Sequence, residues 1–141
     1  MNKKQIITLF LLLFGTVISA QTKEEIIKHM IEEVTYLASD ELEGRATGTD
    51  SEKLAADFIG QKFLEYNLLK KGDKDYLQFF TATIKENPHS QQVKRIIEGI
   101  NVVGFKDNDK EETIIIGGHY DHLGYGDFGS LYVGERAIHN G

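Results

Sequence analysis

The spacing of apolar residues predicts two amphipathic helices in the first half of the chain. Apolar side chains recur at helical intervals over residues 22–38 and again over residues 49–69. A helix with one apolar face buries that face against the core, so both stripes are expected to pack inward. The first stripe consists of Ile26, Ile27, Met30, Ile31, Val34, Leu37 and Ala38, and the second of Leu54, Ala55, Phe58, Ile59, Phe63 and Tyr66.

Local signals predict where these helices begin and where the second one ends. Thr22 is followed three residues later by Glu25, and Thr49 by Glu52. A hydroxyl and a carboxylate at this spacing predict a capping box, in which each side chain accepts a hydrogen bond from the other residue's backbone N–H. Gly72 follows the second stripe, and glycine adopts the left-handed conformation that closes many helices. We therefore expect Gly72 to cap the second helix.

Three later segments are predicted to be strands. Tyr76–Ile84 is aromatic and β-branched with partial alternation, and Val93–Phe105 supplies one or two further strands. Thr113–Ile116 is a continuous apolar run with no polar alternation, which predicts a strand buried on both faces. Helices combined with such strands predict an α/β domain.

Residues 1–20 have the pattern of a secretory signal peptide. Lys3 and Lys4 give a basic start, Ile6–Ile18 is almost wholly apolar, and Ser19-Ala20 offers a small-residue cleavage site. The apolar run is shorter than the roughly 20 residues of a membrane-spanning helix, and an uncleaved anchor is the alternative. We expect export to a periplasm or outside the cell, with residues 21–141 forming the folded part and no membrane contact after cleavage.

Composition excludes several classes of function. The chain has no cysteine, which excludes disulfides and cysteine-ligated structural zinc, so any metal site must use histidine and carboxylate ligands. The net charge is -6 at pH 7. An acidic domain without a basic patch is a poor candidate for binding nucleic acid or anionic membrane surfaces. The sequence does not predict an oligomeric state.

The candidate chemistry follows the predicted apolar strand. Gly117-Gly118 leads directly into His119, Tyr120, Asp121 and His122, and the carboxyl ends of strands are where α/β sheets place their ligands. His119 and Asp121 are two residues apart and would leave the same face of an extended chain. The carboxylate could then orient one ring nitrogen while the other binds a metal. The alternative is a polar loop, because short motifs also occur by chance.

Ile115–Gly124 resembles the first metal-site motif of the di-zinc exopeptidases related to bacterial leucyl aminopeptidase and glutamate carboxypeptidase. The resemblance extends, in order and spacing, to Tyr36–Arg45 and Asn101–Gly104. It implies a mixed, largely buried sheet flanked by helices. It also implies two zinc ions and a peptide substrate from which single residues are released. The activity expected first is that of an aminopeptidase. By the same resemblance His119 is a zinc ligand, and Asp121 orients it and counts among the catalytic residues.

The resemblance also implies that most of the metal site lies beyond this chain. In the family a glycine followed by paired aspartates begins where Ile138–Gly141 stands, and one of those aspartates bridges the two zincs. A Glu-Glu pair, a further Asp and a His follow. We therefore expect residues 21–141 to be the amino-terminal portion of a peptidase domain. Alone, they are expected to bind zinc weakly, to lack activity and to aggregate.

Several alternatives remain open at the level of sequence. A non-catalytic relative, a carboxypeptidase or another zinc hydrolase on the same scaffold, and a binding module with an acidic surface would all share these features. His119 together with Asp121 argues against a degenerate site. Asp127, Glu135 and His139 could also ligate a metal, although their spacing singles out none of them. The charged loop 39–48 is predicted to be structural, with Arg45 paired to a local carboxylate.

Overall fold

A computed structural model describes residues 21–85, 89, 93–127 and 130–141. The predicted signal peptide therefore lies outside the described residues. Among those that are described, no helix combines the length and apolar character needed to cross a membrane. The elements are α1 (Lys23–Leu37), a 3₁₀ turn (Asp40–Leu42), α2 (Asp50–Glu65), β1 (Leu69–Lys70), β2 (Leu77–Lys85), β3 (Val93–Val102) and β4 (Gly104–Phe105).

The chain is of the α/β class, as predicted, and it divides into two compact units. The first unit ends at Ile31, inside α1, and the second comprises Glu32–Gly141. The candidate site lies entirely within the second unit, together with α2 and every strand.

Helix α1 begins as predicted, but its apolar stripe is not buried. The Thr22 N–H donates to Glu25 Oε2 at 2.7 Å, and the Glu25 N–H donates to Thr22 Oγ1 at 3.2 Å, which confirms the capping box. No residue of α1 is buried, and Val34 is 62% exposed. The prediction that this stripe packs into the core was wrong. Helical spacing creates an apolar face, whereas burial needs a second surface. At the C-terminal end of α1 Tyr36 packs against Phe58, with ring centroids 4.5 Å apart, but the apolar residues from Ile26 to Val34 stay exposed.

Helix α2 ends earlier than predicted, at a different cap. It runs to Glu65 rather than Leu69, and Asn67 takes the left-handed conformation with φ +56°. Asparagine tolerates that region because its short polar side chain can hydrogen-bond locally. The prediction that Gly72 caps the helix was therefore wrong.

The buried face of α2 is narrower than predicted and, apart from Glu52, consists of small residues. Ala55 and Ala56 are fully buried and Gly60 is also buried, whereas Leu54 is 50% exposed and Tyr66 is 48% exposed. Small side chains let the helix lie close against β3, whose Ile97 and Ile100 belong to the core. The core is therefore centred on α2 and β3, and includes Leu42 of the 3₁₀ turn.

The strands form two antiparallel pairs. β2 pairs with β3, from Leu77 opposite Val102 to Lys85 opposite Val93, with an irregularity between Ile84 and Lys85. β1 pairs with β4 through Leu69 opposite Phe105. This arrangement confirms the strands predicted at Tyr76–Ile84 and Val93–Phe105, which the structure divides into β2, β3 and β4.

A buried carboxylate ties α2 to β3. Glu52 is 2% exposed, and its Oε1 accepts a hydrogen bond from the Ile100 N–H at 2.9 Å while its Oε2 accepts one from the Gly48 N–H at 2.6 Å. Its own N–H donates to Thr49 Oγ1 at 3.2 Å, so half of the predicted capping box is present. The other half is replaced, because the carboxylate reaches Gly48 and β3 instead of the Thr49 N–H.

The apolar run Thr113–Ile116 is not the buried strand that its composition predicts. It belongs to no strand, and Ile114, Ile115 and Ile116 are 87%, 91% and 93% exposed. A strand needs a neighbour to take its backbone N–H and C=O groups, and a surface to cover each apolar face. No described segment pairs with this run, so the prediction of a strand buried within this chain was wrong.

Candidate functional site

The two residues singled out by the sequence meet in space. Nδ1 of His119 lies 2.9 Å from the backbone oxygen of Asp121 and 3.4 Å from its Oδ1. Both neighbours are acceptors, so Nδ1 is assigned as the protonated nitrogen. That tautomer leaves a lone pair on Nε2, and the His119 side chain is 81% exposed. His119 is therefore arranged as a metal ligand would be, with one nitrogen oriented by the protein and the other open.

A buried arginine holds the backbone of this segment. Arg45 is 8% exposed, and its guanidinium donates to the backbone oxygens of Leu37, Tyr120 and Asn140. Nε lies 2.6 Å from the backbone oxygen of Tyr120, and Nη2 lies 2.7 Å from the backbone oxygen of Asn140. Burial lowers the pKa of Arg45, and the negative charge of Asp121 opposes that shift. The predicted pairing of Arg45 with a local carboxylate was wrong, because backbone carbonyls take its donors.

The loop that carries Arg45 runs alongside the candidate site. The His122 N–H donates to the Arg45 oxygen at 3.1 Å, and Ala46 and His122 form an isolated parallel bridge. The Gly124 N–H donates to the Gly44 oxygen at 3.0 Å. Gly44 has φ +71°, and a Cβ there would lie 2.7 Å from the Gly124 oxygen, so only glycine fits. The charged loop therefore holds the backbone of the His119 segment in place.

Two further hydrogen bonds fix the side chains around Asp121. Thr47 Oγ1 donates to Asp121 Oδ2 at 2.8 Å, and the Tyr120 hydroxyl donates to the Ile100 oxygen at 2.6 Å. Burial raises the pKa of Tyr120 well above its usual range, and the nearby negative charges of Glu52 and Asp121 raise it further. Tyr120 therefore stays a neutral donor that joins the site to β3.

A cavity of about 360 Å³ lies beside these residues. Its lining combines polar side chains, among them His119, Asp121 and Thr47, with apolar and aromatic ones. Its lining comprises Thr47, Glu52, Ile59, Phe63, Phe80, Ile100, Asn101, Val102, Ile116, Gly117, Gly118, His119, Tyr120 and Asp121.

None of the other candidate ligands, Asp127, Glu135 and His139, joins His119 and Asp121 in a group that could hold a metal, as far as the described residues show. Asp127 Oδ2 lies 3.5 Å from Arg136 Nε, and the ring of His139 packs edge-on against Tyr132 at 4.3 Å. Across the described part of the chain, no three histidine, cysteine or acidic side chains come together as a group that could hold a metal. These residues therefore fit one metal ligand and its orienting partner, and they do not fit a complete site.

The chain matches no family model, no curated protein and no solved structure. The roles of His119 and Asp121 are therefore inferred from their geometry and from the resemblance of their motif.

Thr47 and Glu52 were not predicted as parts of this site. Thr47 reaches Asp121 across 74 positions of the chain, and Glu52 reaches Ile100 across 48. No spacing rule connects residues so far apart. The Thr49–Glu52 signal indicated a helix start, and it gave no indication that the carboxylate would be buried against β3.

The raised pKa of Tyr120 predicts a loss of stability in alkali. Between the unfolded pKa of about 10 and the higher folded value, the folded state holds a proton that the unfolded state has lost. The free energy of unfolding is therefore expected to fall with rising pH above about 10. Urea unfolding from pH 9 to 11 should show this decline in the wild type and a shallower one in Tyr120→Phe. Tyr132→Phe, at an exposed tyrosine, is the control, and equal slopes in wild type and Tyr120→Phe would contradict the assignment.

Proposed function

We propose that this chain supplies the first metal-ligand motif of an exported zinc exopeptidase, most specifically an aminopeptidase acting on peptides. The remaining ligands would follow Gly141. One observation supports the proposal most: the protein orients Nδ1 of His119 through Asp121 and leaves Nε2 open. A metal-bound histidine needs this arrangement, because its second nitrogen almost always donates to a carboxylate or carbonyl.

Each residue of the motif has a defined task in this proposal. His119 Nε2 would hold one of two zinc ions, and Asp121 would keep the ring in the tautomer that leaves Nε2 free. When bound, the metal pair supplies Lewis-acid polarisation of the scissile carbonyl and a more acidic water. Arg45 would keep the backbone between His119 and Asp121 in place, since it donates to the Tyr120 oxygen.

The proposal includes a finer description of the fold. We place Thr113–Ile116 as an inner strand of a mixed sheet flanked by helices, with neighbouring strands supplied from beyond Gly141. The exposure of Ile114, Ile115 and Ile116 supports this placement. Three consecutive exposed isoleucines form an apolar surface of the kind that a neighbouring segment covers in a folded protein. Residues 1–20 would direct the protein to a periplasm or the exterior, where exported peptidases meet peptides.

Activity of the full gene product tests the function directly. We expect it to hydrolyse amino-acid anilides with a free amine, to lose activity to a chelator and to regain it with zinc. His119→Asn should abolish turnover, because it removes a zinc ligand. Asp121→Asn should lower zinc affinity by about 10- to 100-fold, the usual cost of losing an orienting partner. His29→Asn, at an exposed histidine in α1, is the matched control.

The same assay separates the alternatives. Chelator-sensitive release of carboxyl-terminal glutamate, with no cleavage of anilides, would identify a carboxypeptidase and contradict the aminopeptidase assignment. No zinc binding and no turnover by the wild type would favour a non-catalytic relative and contradict the enzyme assignment altogether.

The proposed inner strand has its own test in the full gene product. Ile115→Lys places a charge in the proposed strand, so it should lower the free energy of unfolding by on the order of 3 kcal/mol. Ile96→Lys, at a β3 residue that is 70% exposed, should change it by less than about 0.5 kcal/mol. Urea denaturation measures both. Equal, small effects would show that Ile115 stays exposed in the full protein and would contradict the strand.

A further inference from the structure

We propose that Thr47 is the positioning residue that sets the orientation of the Asp121 carboxylate, and through it the ability of His119 to hold zinc. This inference rests on the proposed function, since it takes His119 as a metal ligand and Asp121 as its orienting partner. Thr47 lies outside the motif that carries the resemblance and 74 positions before the residue that it contacts.

The two oxygens of the Asp121 carboxylate are divided between two partners. Oδ2 accepts a hydrogen bond from Thr47 Oγ1 at 2.8 Å, whereas Oδ1 lies 3.4 Å from His119 Nδ1, whose own hydrogen bond goes to the Asp121 backbone oxygen at 2.9 Å. The Asp121 side chain is 44% exposed, so water competes for both oxygens. The Thr47 hydrogen bond limits the rotation of the carboxylate and so keeps Oδ1 on the side of the ring.

Thr47 is itself held in place from several directions. A Cβ added to Gly99 would meet the Phe80 ring and would lie 2.8 Å from Thr47 Cγ2, so the ring and the threonine methyl share the space that glycine leaves in β3. On one side, the Ala46 oxygen accepts from Thr49 Oγ1 at 2.6 Å. On the other, the Gly48 N–H donates to the buried Glu52 at 2.6 Å. A β-branched side chain has few χ1 rotamers, so these contacts fix where the hydroxyl points.

Two substitutions at Thr47 separate the contribution of its hydroxyl from that of its methyl group. Thr47→Val keeps the shape and the methyl against Gly99 but removes the donor. Thr47→Ser keeps the donor and removes the methyl. If Thr47 acts through its hydroxyl, the serine variant should behave as the wild type and the valine variant should not. If it only fills space beside β3, the order should be reversed.

Two measurements on the full gene product test the proposal. Three-bond NMR couplings report the χ1 rotamer of Asp121 in the metal-free protein, and competition with a chromogenic chelator gives the zinc dissociation constant. For Thr47→Val we expect averaged Asp121 couplings and zinc binding weakened by about 10-fold, the lower end of the cost of losing an outer partner. Thr47→Ser should restore a single rotamer and the affinity. Thr81→Val, at an exposed threonine of β2, should change neither.

The outcomes distinguish this inference from the proposed function. A single Asp121 rotamer and unchanged zinc affinity in Thr47→Val would overturn the role of Thr47 and leave the metal site standing. Equal losses in the valine and serine variants would show a packing role and also overturn it. If the wild type binds no zinc, the proposed function fails, and the Asp121 couplings still decide whether Thr47 positions the carboxylate. Thr47→Ala serves the same comparison if the valine variant does not fold.

Discussion

The candidate site depends on one buried cation. Among the described residues Arg45 forms no ion pair with a carboxylate, and it donates instead to backbone oxygens that lie 8, 75 and 95 positions away in the chain. It follows two residues, Glu43 and Gly44, that also have positive φ, so the turn around it is strained. Burying a charge this way is costly unless its nitrogens find acceptors. The three carbonyls supply one acceptor to each guanidinium nitrogen, and they bring the end of α1, the Tyr120 backbone and Asn140 to one point.

The Arg45 hydrogen bonds explain how the exposed His119 and the half-buried Asp121 can both be ordered. His119 projects into solvent and Asp121 is half-buried, yet the peptide between them is fixed by Arg45 at the Tyr120 oxygen and by the Tyr120 hydroxyl on β3. Thr47 then fixes the carboxylate from the side. The backbone positions are thus set by buried groups, while His119 Nε2 stays accessible. A histidine that binds a metal needs both properties, because one ring nitrogen must be oriented by the protein while the other stays accessible.

Local rules predicted the parts of the fold that depend on local contacts. Thr22 with Glu25, and Thr49 before α2, mark helix starts because capping joins residues three apart. The predicted end of α2 was wrong because asparagine, here Asn67, can replace glycine at a left-handed cap. The prediction of a buried strand at Thr113–Ile116 was wrong for a different reason. Composition indicates that a segment is apolar enough to be buried, whereas burial itself depends on other segments that cover it. His119 and Asp121 were found from their motif, but Arg45 and Thr47 act across distances that no spacing reveals.

The most direct measurement is a crystal structure of the full gene product grown with zinc, with the metal located by anomalous scattering. The account predicts a zinc ion at His119 Nε2, at about 2.0–2.1 Å as for other histidine ligands, with Nδ1 still directed at Asp121. A second zinc ion should lie roughly 3.5–4 Å away. Zinc bound at Nδ1, or bound only at a site that excludes His119, would contradict the account.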